Sequence, residues 1–369
     1  PFDRATMDGY AVRAEDTFGA FDDRPRRLKV VGRVEAGEVP NGEVRKGEAM
    51  EIATGAPMPK GSDAVVMYEY TRRAGEFIEV LKPVSKLRNV SVKGEDLLKG
   101  ELVISKGRIL TSWDIGILAS LRIREVKVVK RPKVFLISTG EELIELEEEP
   151  SEDKIVNSSK FVLLSLLKEE GAEPRYGGIV KDDPMEIRRA IEEGLKEADM
   201  VITTGGLALG TRDRTMEAVE GLKPQLLIHG MAIRPGKPTS LAVLNGKPIV
   251  MLSGFPVASS VGFESVVKPI LKFMTGSEDR PRPKVSGRLT RRVTTPINVR
   301  SYVRVKVFCK DDEVLVEPLA VTGSGILSTL TRGNGLLIIP ETREGYDEGE
   351  VVEVILIREV EPYEKGNIS

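Results

Sequence analysis

DDPMEIRRAIEEGLKEADMVITTGG, residues Asp182 to Gly206, decides the fold. Asp183 stands just before Pro184, and Glu186 follows three residues after the Asp, which together form a complete helix-start signature. MVITT then reads as a buried strand ending in Thr203-Thr204-Gly205-Gly206. The same period extends in both directions. VFLIS is an earlier strand, and NSSKFVLLSLLKEEG a helix with an Asn or Ser cap, an apolar stripe through Phe161, Leu164 and Leu167, and a stop at Gly171. RTMEAVEGL is the next helix, LAVLNGKPIVML a hairpin across Asn245-Gly246, and ASSVGFESVVKPILKFM a closing helix that ends near Gly276. Strands alternating with helices imply a parallel sheet covered on both faces.

The flanks are different. From Leu28 to about Pro83 short β-rich runs are broken by Gly and Pro, and from Gly94 to Lys130 the segment TSWDIGILASL reads as a short helix starting at Thr111 or Ser112. RPRPK, Arg280 to Lys284, is a Pro-rich linker, after which SYVRVKVFCK, VLVEPLA, GLLIIP and VVEVILI are strands. The expected fold class is multidomain α/β and β. An N-terminal β-rich domain (1–93) is followed by a connecting α/β module (94–131), a central three-layer α/β domain with a mostly parallel sheet (132–279) and a C-terminal small β-barrel or sandwich (280–369).

Composition bounds the chemistry. Over 369 residues, 55 Lys and Arg against 57 Asp and Glu leave a net charge of −2, so there is no bulk basic field for nucleic acid or an anionic membrane. One Cys, Cys309, excludes a disulfide framework and a thiolate zinc cluster; one His, His229, excludes multi-histidine metal sites. No apolar run approaches the roughly 18 residues that span a bilayer, and the expected location is cytoplasmic. Gln225 is the single Gln and 30% of residues are charged, a drift associated with heat-adapted proteins. The chain begins at Pro1 rather than Met, so an element before it is expected.

Three central strands end in a hydroxyl residue and glycine: Ser138-Thr139-Gly140, Thr203-Thr204-Gly205-Gly206 and Ser253-Gly254. In an open parallel sheet such ends share one edge, where small residues let backbone N–H groups approach a phosphate. Arg234-Pro235-Gly236-Lys237-Pro238 and Gly210-Thr211-Arg212-Asp213 should face the same edge, the first placing two cations on a rigid turn suited to a tetrahedral oxyanion. Of Glu141 and Glu142, one is a candidate metal ligand. Asp8 and Asp96 sit in short glycine contexts that most often make turns. His229 reads as structural, and Cys309 as a small core residue.

FDRATMDGYAV (Phe2–Val12), ATGAPMPKGSDAVVM (Ala53–Met67), GEDL (Gly94–Leu97), STGEEL (Ser138–Leu143), TTGG…GTRDRT (Thr203–Thr215) and PGKP (Pro235–Pro238) resemble, in order and spacing, the molybdopterin molybdenumtransferase family, which includes the E domain of gephyrin. The resemblance implies an enzyme that takes adenylylated molybdopterin, hydrolyses the adenylate in the presence of molybdate (or tungstate) and Mg²⁺, and releases molybdenum cofactor and AMP. It implies an elongated homodimer, with clefts combining the central domain of one subunit and the β domain of the other. Transient contacts with the adenylyltransferase and with acceptor apoenzymes are further implied.

By the same resemblance Asp8, Thr54, Asp96, Glu142 and Asp213 are catalytic, with the four acids as metal ligands. Arg234, Lys237, Arg304 and Ser324 hold the oxyanion. Thr139, Gly140, Thr204, Gly205, Gly206, Gly210, Pro235, Gly236, Pro238, Gly254 and Pro256 line the substrate site. Departures fall on this edge: the usual GLPGNPVS loop reads Gly254-Phe255-Pro256-Val257-Ala258-Ser259, the usual SVG is Ala208-Leu209-Gly210, and the helical segment expected before Phe2 is absent. Two other activities compete, molybdopterin adenylyl transfer and a non-catalytic scaffold of the gephyrin type. The chemistry needs no histidine or thiol, because a cation held by carboxylates polarises a phosphoryl group.

Overall fold

The strands of the N-terminal region alternate, and the alternation loads both faces of one sheet. Gly9–Val12 (β1), Arg26–Val34 (β2), Glu48–Ile52 (β3), Ala64–Met67 (β4), Thr71–Ala74 (β5) and Phe77–Val80 (β6) pair in the order β4-β1-β3-β2-β6-β5. Tyr10, Val12, Val66 and Ile78 pack on one side while Ala11, Met50 and Val65 pack on the other, as a period of two requires. The computed structural model describes residues 1–149, 151–207, 213–277, 282–320 and 323–362; Gly210 and the linker residues Arg280 and Pro281 lie outside them. Two compact units emerge, Pro1–Ser105 and Lys106–Ser369.

The connecting stretch carries helix α1 (Ser112–Ser120), with Thr111 as the cap. Asp114 N–H donates to Thr111 Oγ1 at 3.4 Å and Thr111 N–H to Asp114 Oδ2 at 2.7 Å, a reciprocal capping box. As the sequence leads one to expect, this helix is the regular element of the stretch between Gly94 and Arg131. Ile123, Val126, Val128 and Val129 are exposed there.

The central domain follows the strand-helix alternation. Lys133–Thr139 (β7), Ser158–Glu169 (α2), Glu173–Val180 (β8), Pro184–Glu197 (α3), Met200–Thr204 (β9), Arg214–Gly221 (α4), Leu226–Ile228 (β10), Ile233–Arg234 (β11), Ser240–Leu244 (β12), Lys247–Leu252 (β13), Pro256–Gly262 (α5) and Lys268–Thr275 (α6) run in order. The sheet is β8-β7-β9-β13-β12-β10, parallel from β8 to β13, with β12 antiparallel to both its neighbours. Asp183 caps α3, accepting from Met185 N and Glu186 N, and the β12–β13 hairpin turns through Asn245 and Gly246 at positive φ. One apolar layer holds Leu163, Leu167, Ile202 and Phe263; the opposite layer holds Ile187, Ile191, Val201 and Ile249.

Two expected core placements are corrected. In α2 the buried positions are Ser159, Leu163 and Leu167, a row four apart, and Phe161 lies on the solvent side, 41% exposed with the Lys160 ammonium 4.8 Å from its ring centre. Cys309 is exposed rather than in the core. It stands opposite Val314, one pair before the Asp311-Asp312 turn that ends the strand.

The C-terminal strands resolve the choice between sandwich and barrel. Lys284–Leu289 (β14), Arg300–Lys310 (β15), Glu313–Ala320 (β16), Gly335–Ile339 (β17) and Val351–Leu356 (β18) pair β15-β16-β14-β18-β17 and back to β15, a closed ring. Val303, Val305, Val307, Val316, Leu337 and Val354 fill it. The central domain reaches this barrel through β11, whose Arg234 is in register with Ser301 of β15.

Candidate active site

Parallel pairing carries the three hydroxyl-glycine turns to one edge. Thr204 is in register with Ser138 on one side and with Leu252 on the other, so the chain leaves the sheet at Gly140, Gly205 and Gly254 on adjacent strands. Gly206 has φ +63°, and a Cβ there would lie 2.7 Å from Thr139 Oγ1 and 3.2 Å from Asp182 Oδ1, and closer still to Thr215 Oγ1. Three side-chain oxygens therefore surround a position that only glycine leaves open. Thr215 Oγ1 donates to Gly205 O at 3.2 Å. Thr139 Oγ1 and Asp182 Oδ1 are buried and have no hydrogen-bond partner among the described residues. Such atoms are expensive to leave unsatisfied, and a ligand or an ordered water held here would supply the missing contact.

Glu142 stands beside this cluster. A Cβ on Gly140 would sit 2.8 and 2.9 Å from its two carboxylate oxygens, so the turn glycine gives the side chain room to fold back over it. Its backbone is pinned: Ile155 N–H donates to Glu142 O at 2.8 Å and Lys154 Nζ to Glu141 O. The Asp182 carboxyl is pushed above its usual range by burial; the Arg214 guanidinium opposes this, while the Glu141 and Glu142 carboxylates add to it.

Asp213 has a local duty, capping α4 by accepting from Met216 N at 2.8 Å, while its Oδ2 lies 3.7 Å from His229 Nε2. His229 is exposed.

The cationic loop is braced by Met231 N–H to Lys237 O and Thr239 N–H to Gly236 O, both 2.9 Å. Lys237 is exposed and Arg234 half-buried. Arg304 is not on the solvent face of its strand: it is 1% exposed and donates to Thr329 Oγ1 and Tyr302 O at 3.3 Å and to Gly323 O at 3.5 Å. Burial pulls its guanidinium below the usual value. Ser324 follows Gly323, and its carbonyl accepts from Val257 N at 3.0 Å, tying the barrel turn to the loop that contains Gly254 and Pro256. Ser324 and the buried Arg304 thus lie on either side of Gly323, while Arg234 meets the barrel three residues away along β15, at Ser301.

In the first unit Thr54 N–H donates to Asp8 Oδ1 at 2.7 Å, which joins two of the expected residues, and Asp96 is exposed in a turn. Among the described residues no three His, Cys, Asp or Glu side chains are grouped as a metal site. Sequence reasoning missed Asp182 and Thr215. The signal was present: β8 runs parallel beside β7, so Asp182, two residues beyond its end, reaches the same edge, next to Asp183, whose helix-cap role is the plainer sequence signal.

Three family models match in order: MoeA N-terminal region (domain I and II) over residues 1–121, probable molybdopterin binding domain over 135–272, and MoeA C-terminal region (domain IV) over 286–357. A molybdopterin biosynthesis protein of Methanocaldococcus jannaschii is 40% identical over 365 residues, 97% of this chain and 86% of that protein. A molybdopterin molybdenumtransferase of Bacillus subtilis is 34% identical over 362 residues, 97% of this chain and 84% of that protein. The crystal structure of the molybdopterin biosynthesis MoeA protein from Pyrococcus horikoshii superposes with a TM-score of 0.81 at 37% identity, covering 96% of this chain and 88% of that one. With motif order, fold and near full-length identity in agreement, the chain belongs to the MoeA family, that of the molybdopterin molybdenumtransferases.

Proposed function

We propose that this chain is the molybdenumtransferase of molybdenum cofactor biosynthesis: it takes molybdopterin adenylate, hydrolyses the phosphoanhydride with Mg²⁺, and joins the pterin dithiolene to molybdate or tungstate, releasing cofactor and AMP. The observation that carries the reading is the open oxygen cluster at Gly206, walled by Thr139 and Asp182 and flanked by Glu142. The donor set is all oxygen, carboxylates and hydroxyls, which suits Mg²⁺; that ion keeps several waters and is held through one or two carboxylates plus substrate phosphates. Glu142 and Asp182 would hold it, with Asp8, Asp96 and Asp213 serving the same reaction in a homodimer. Bound there, the cation would supply charge neutralisation on the phosphoryl oxygens and lower the pKa of a water.

The protein's own groups do the rest. The glycine turns bring backbone N–H groups against the phosphates, and Thr139 offers a hydroxyl to the same oxygens. Water adds across the anhydride and AMP leaves. Arg234, Lys237, Arg304 and Ser324 orient the tetrahedral dianion while the two dithiolene sulfurs bond to the metal and displace one oxo group, which leaves as water with the two thiol protons; desolvating such a dianion demands paired charge and fixed donors. Molybdate and tungstate share shape and charge, and both fit this donor set.

Neither competing activity explains the whole chain. Adenylyl transfer would leave the first unit and the barrel without a role, and relatives match over all three regions. The test is product analysis. Incubation with molybdopterin-AMP, Mg²⁺ and each oxyanion in turn should release AMP and load metal in parallel. A protein that binds the adenylate and leaves it intact is a scaffold, and the proposal then fails.

A further inference from the structure

Phe255 has no role in the chemistry above, yet it stands at its edge. It lies between Gly254 and Pro256, 60% exposed, and a Cβ on Gly254 would lie 3.4 Å from Gly205 Cα, so the ring begins one residue from the glycine cradle. Its backbone is fixed: Phe255 N–H donates to Ser253 Oγ at 3.4 Å, Ser259 N–H donates to Phe255 O at 2.9 Å, and Ser159 Oγ donates to Gly254 O at 2.9 Å. One edge of the ring lies on the barrel, where a Cβ on Gly325 would sit 3.2 and 3.6 Å from Cδ1 and Cε1. Glycine at 325 lets the ring settle there.

A single exposed apolar side chain ordinarily needs no explanation. This one has its backbone fixed by the central domain and one ring edge against Gly325 of the barrel, and the rest of its surface stays open beside the edge proposed to hold the phosphates. That is a preorganised contact, with little ordering left to oppose binding. We infer that Phe255 is a platform on which a planar fused heterocycle of the substrate stacks. The inference rests on the proposed reaction, whose substrate carries two such rings, the pterin and the adenine. An aromatic face binds either ring without reading hydrogen bonds.

Equilibrium dialysis of the full chain against molybdopterin and, separately, AMP distinguishes the rings. Phe255→Ala should raise the Kd of one of them about tenfold, Phe255→Tyr should stay within about twofold of wild type, and Phe255→Leu should fall between. The oxyanion dependence of turnover should not change in any of them. If Phe255→Ala holds both ligands as tightly as wild type, or if Phe255→Tyr loses as much as Phe255→Ala, the platform is wrong even though wild type releases AMP. A wild type that releases no AMP from molybdopterin-AMP overturns the underlying reading, and the platform with it.

Discussion

The edge of the central sheet and the interior of the barrel bury polar groups in opposite ways. In the barrel, Asn334 is 0% exposed and fully engaged: Val307 N–H donates to its Oδ1 at 2.7 Å, and its Nδ2 donates to Val307 O at 2.8 Å and Glu359 O at 3.0 Å. At the sheet edge and its loops, Thr139, Asp182, Thr203 and Thr239 each keep a buried oxygen without a hydrogen-bond partner among the described residues, against Thr295 alone in the C-terminal region. A satisfied buried group holds strands together, while an unsatisfied one costs stability unless a ligand arrives. The contrast sets the packed barrel apart from the edge proposed as the site.

The strongest way to break that separation is at the edge. Glu142→Gln and Asp182→Asn should each lower AMP release about 100-fold with the fold intact. Asp182→Asn should also raise Tm near neutral pH. The folded state holds the Asp182 proton more tightly than the unfolded chain, because burial disfavours the carboxylate. Stability conferred by this group therefore declines as pH rises from roughly 4 through the raised folded value, and the deficit is complete above it. Removing the charge removes the deficit. Calorimetry across the acid range checks the sign; an Asn variant that is less stable than wild type at neutral pH would show Asp182 to be a structural group.

The barrel should respond in the opposite sense. Asn334→Ala strands backbone donors and acceptors of Val307 and Glu359, and should cost about 2–4 kcal/mol in chemical denaturation while the folded fraction keeps its AMP release. A variant of normal stability and lost activity would move Asn334 into the site.

The smallest effect sharpens the same contrast within one helix. Phe161→Ser should change stability by less than about 0.5 kcal/mol, whereas Leu163→Ala, two residues on and 0% exposed, should cost about 2–5 kcal/mol. A large loss at Phe161 would mean that its solvent face is covered in the working protein.

The alternation of strand and helix, the caps at Thr111 and Asp183 and the Asn245-Gly246 hairpin are local chemistry: a side-chain oxygen two or three residues from the N–H it serves, or glycine where φ must be positive. Local rules of this kind are legible in any order of reading. The row 159, 163, 167 in α2 was not, because two helical phases contain Leu167, and the neighbouring β-strands rather than the helix select which one is buried.

By itself, then, the sequence determined the regular elements, the parallel sheet, the alignment of three hydroxyl-glycine turns on one edge, and, through six ordered motifs, the family. Each follows from short-range spacing or from the rule that parallel strands share a direction. Only the tertiary structure decided that the C-terminal strands close into a ring, that Arg304 lies buried against Gly323 and Thr329 rather than in solvent, and that Asp182 and Thr215 converge with Thr139 around Gly206. Thr139, Asp182, Gly206 and Thr215 sit at the ends of different elements, and nothing in the spacing between them along the chain records how far apart they are once the sheet has formed. Burial has the same origin: whether a polar atom finds a partner depends on every element packed around it, which is a property of the assembled fold.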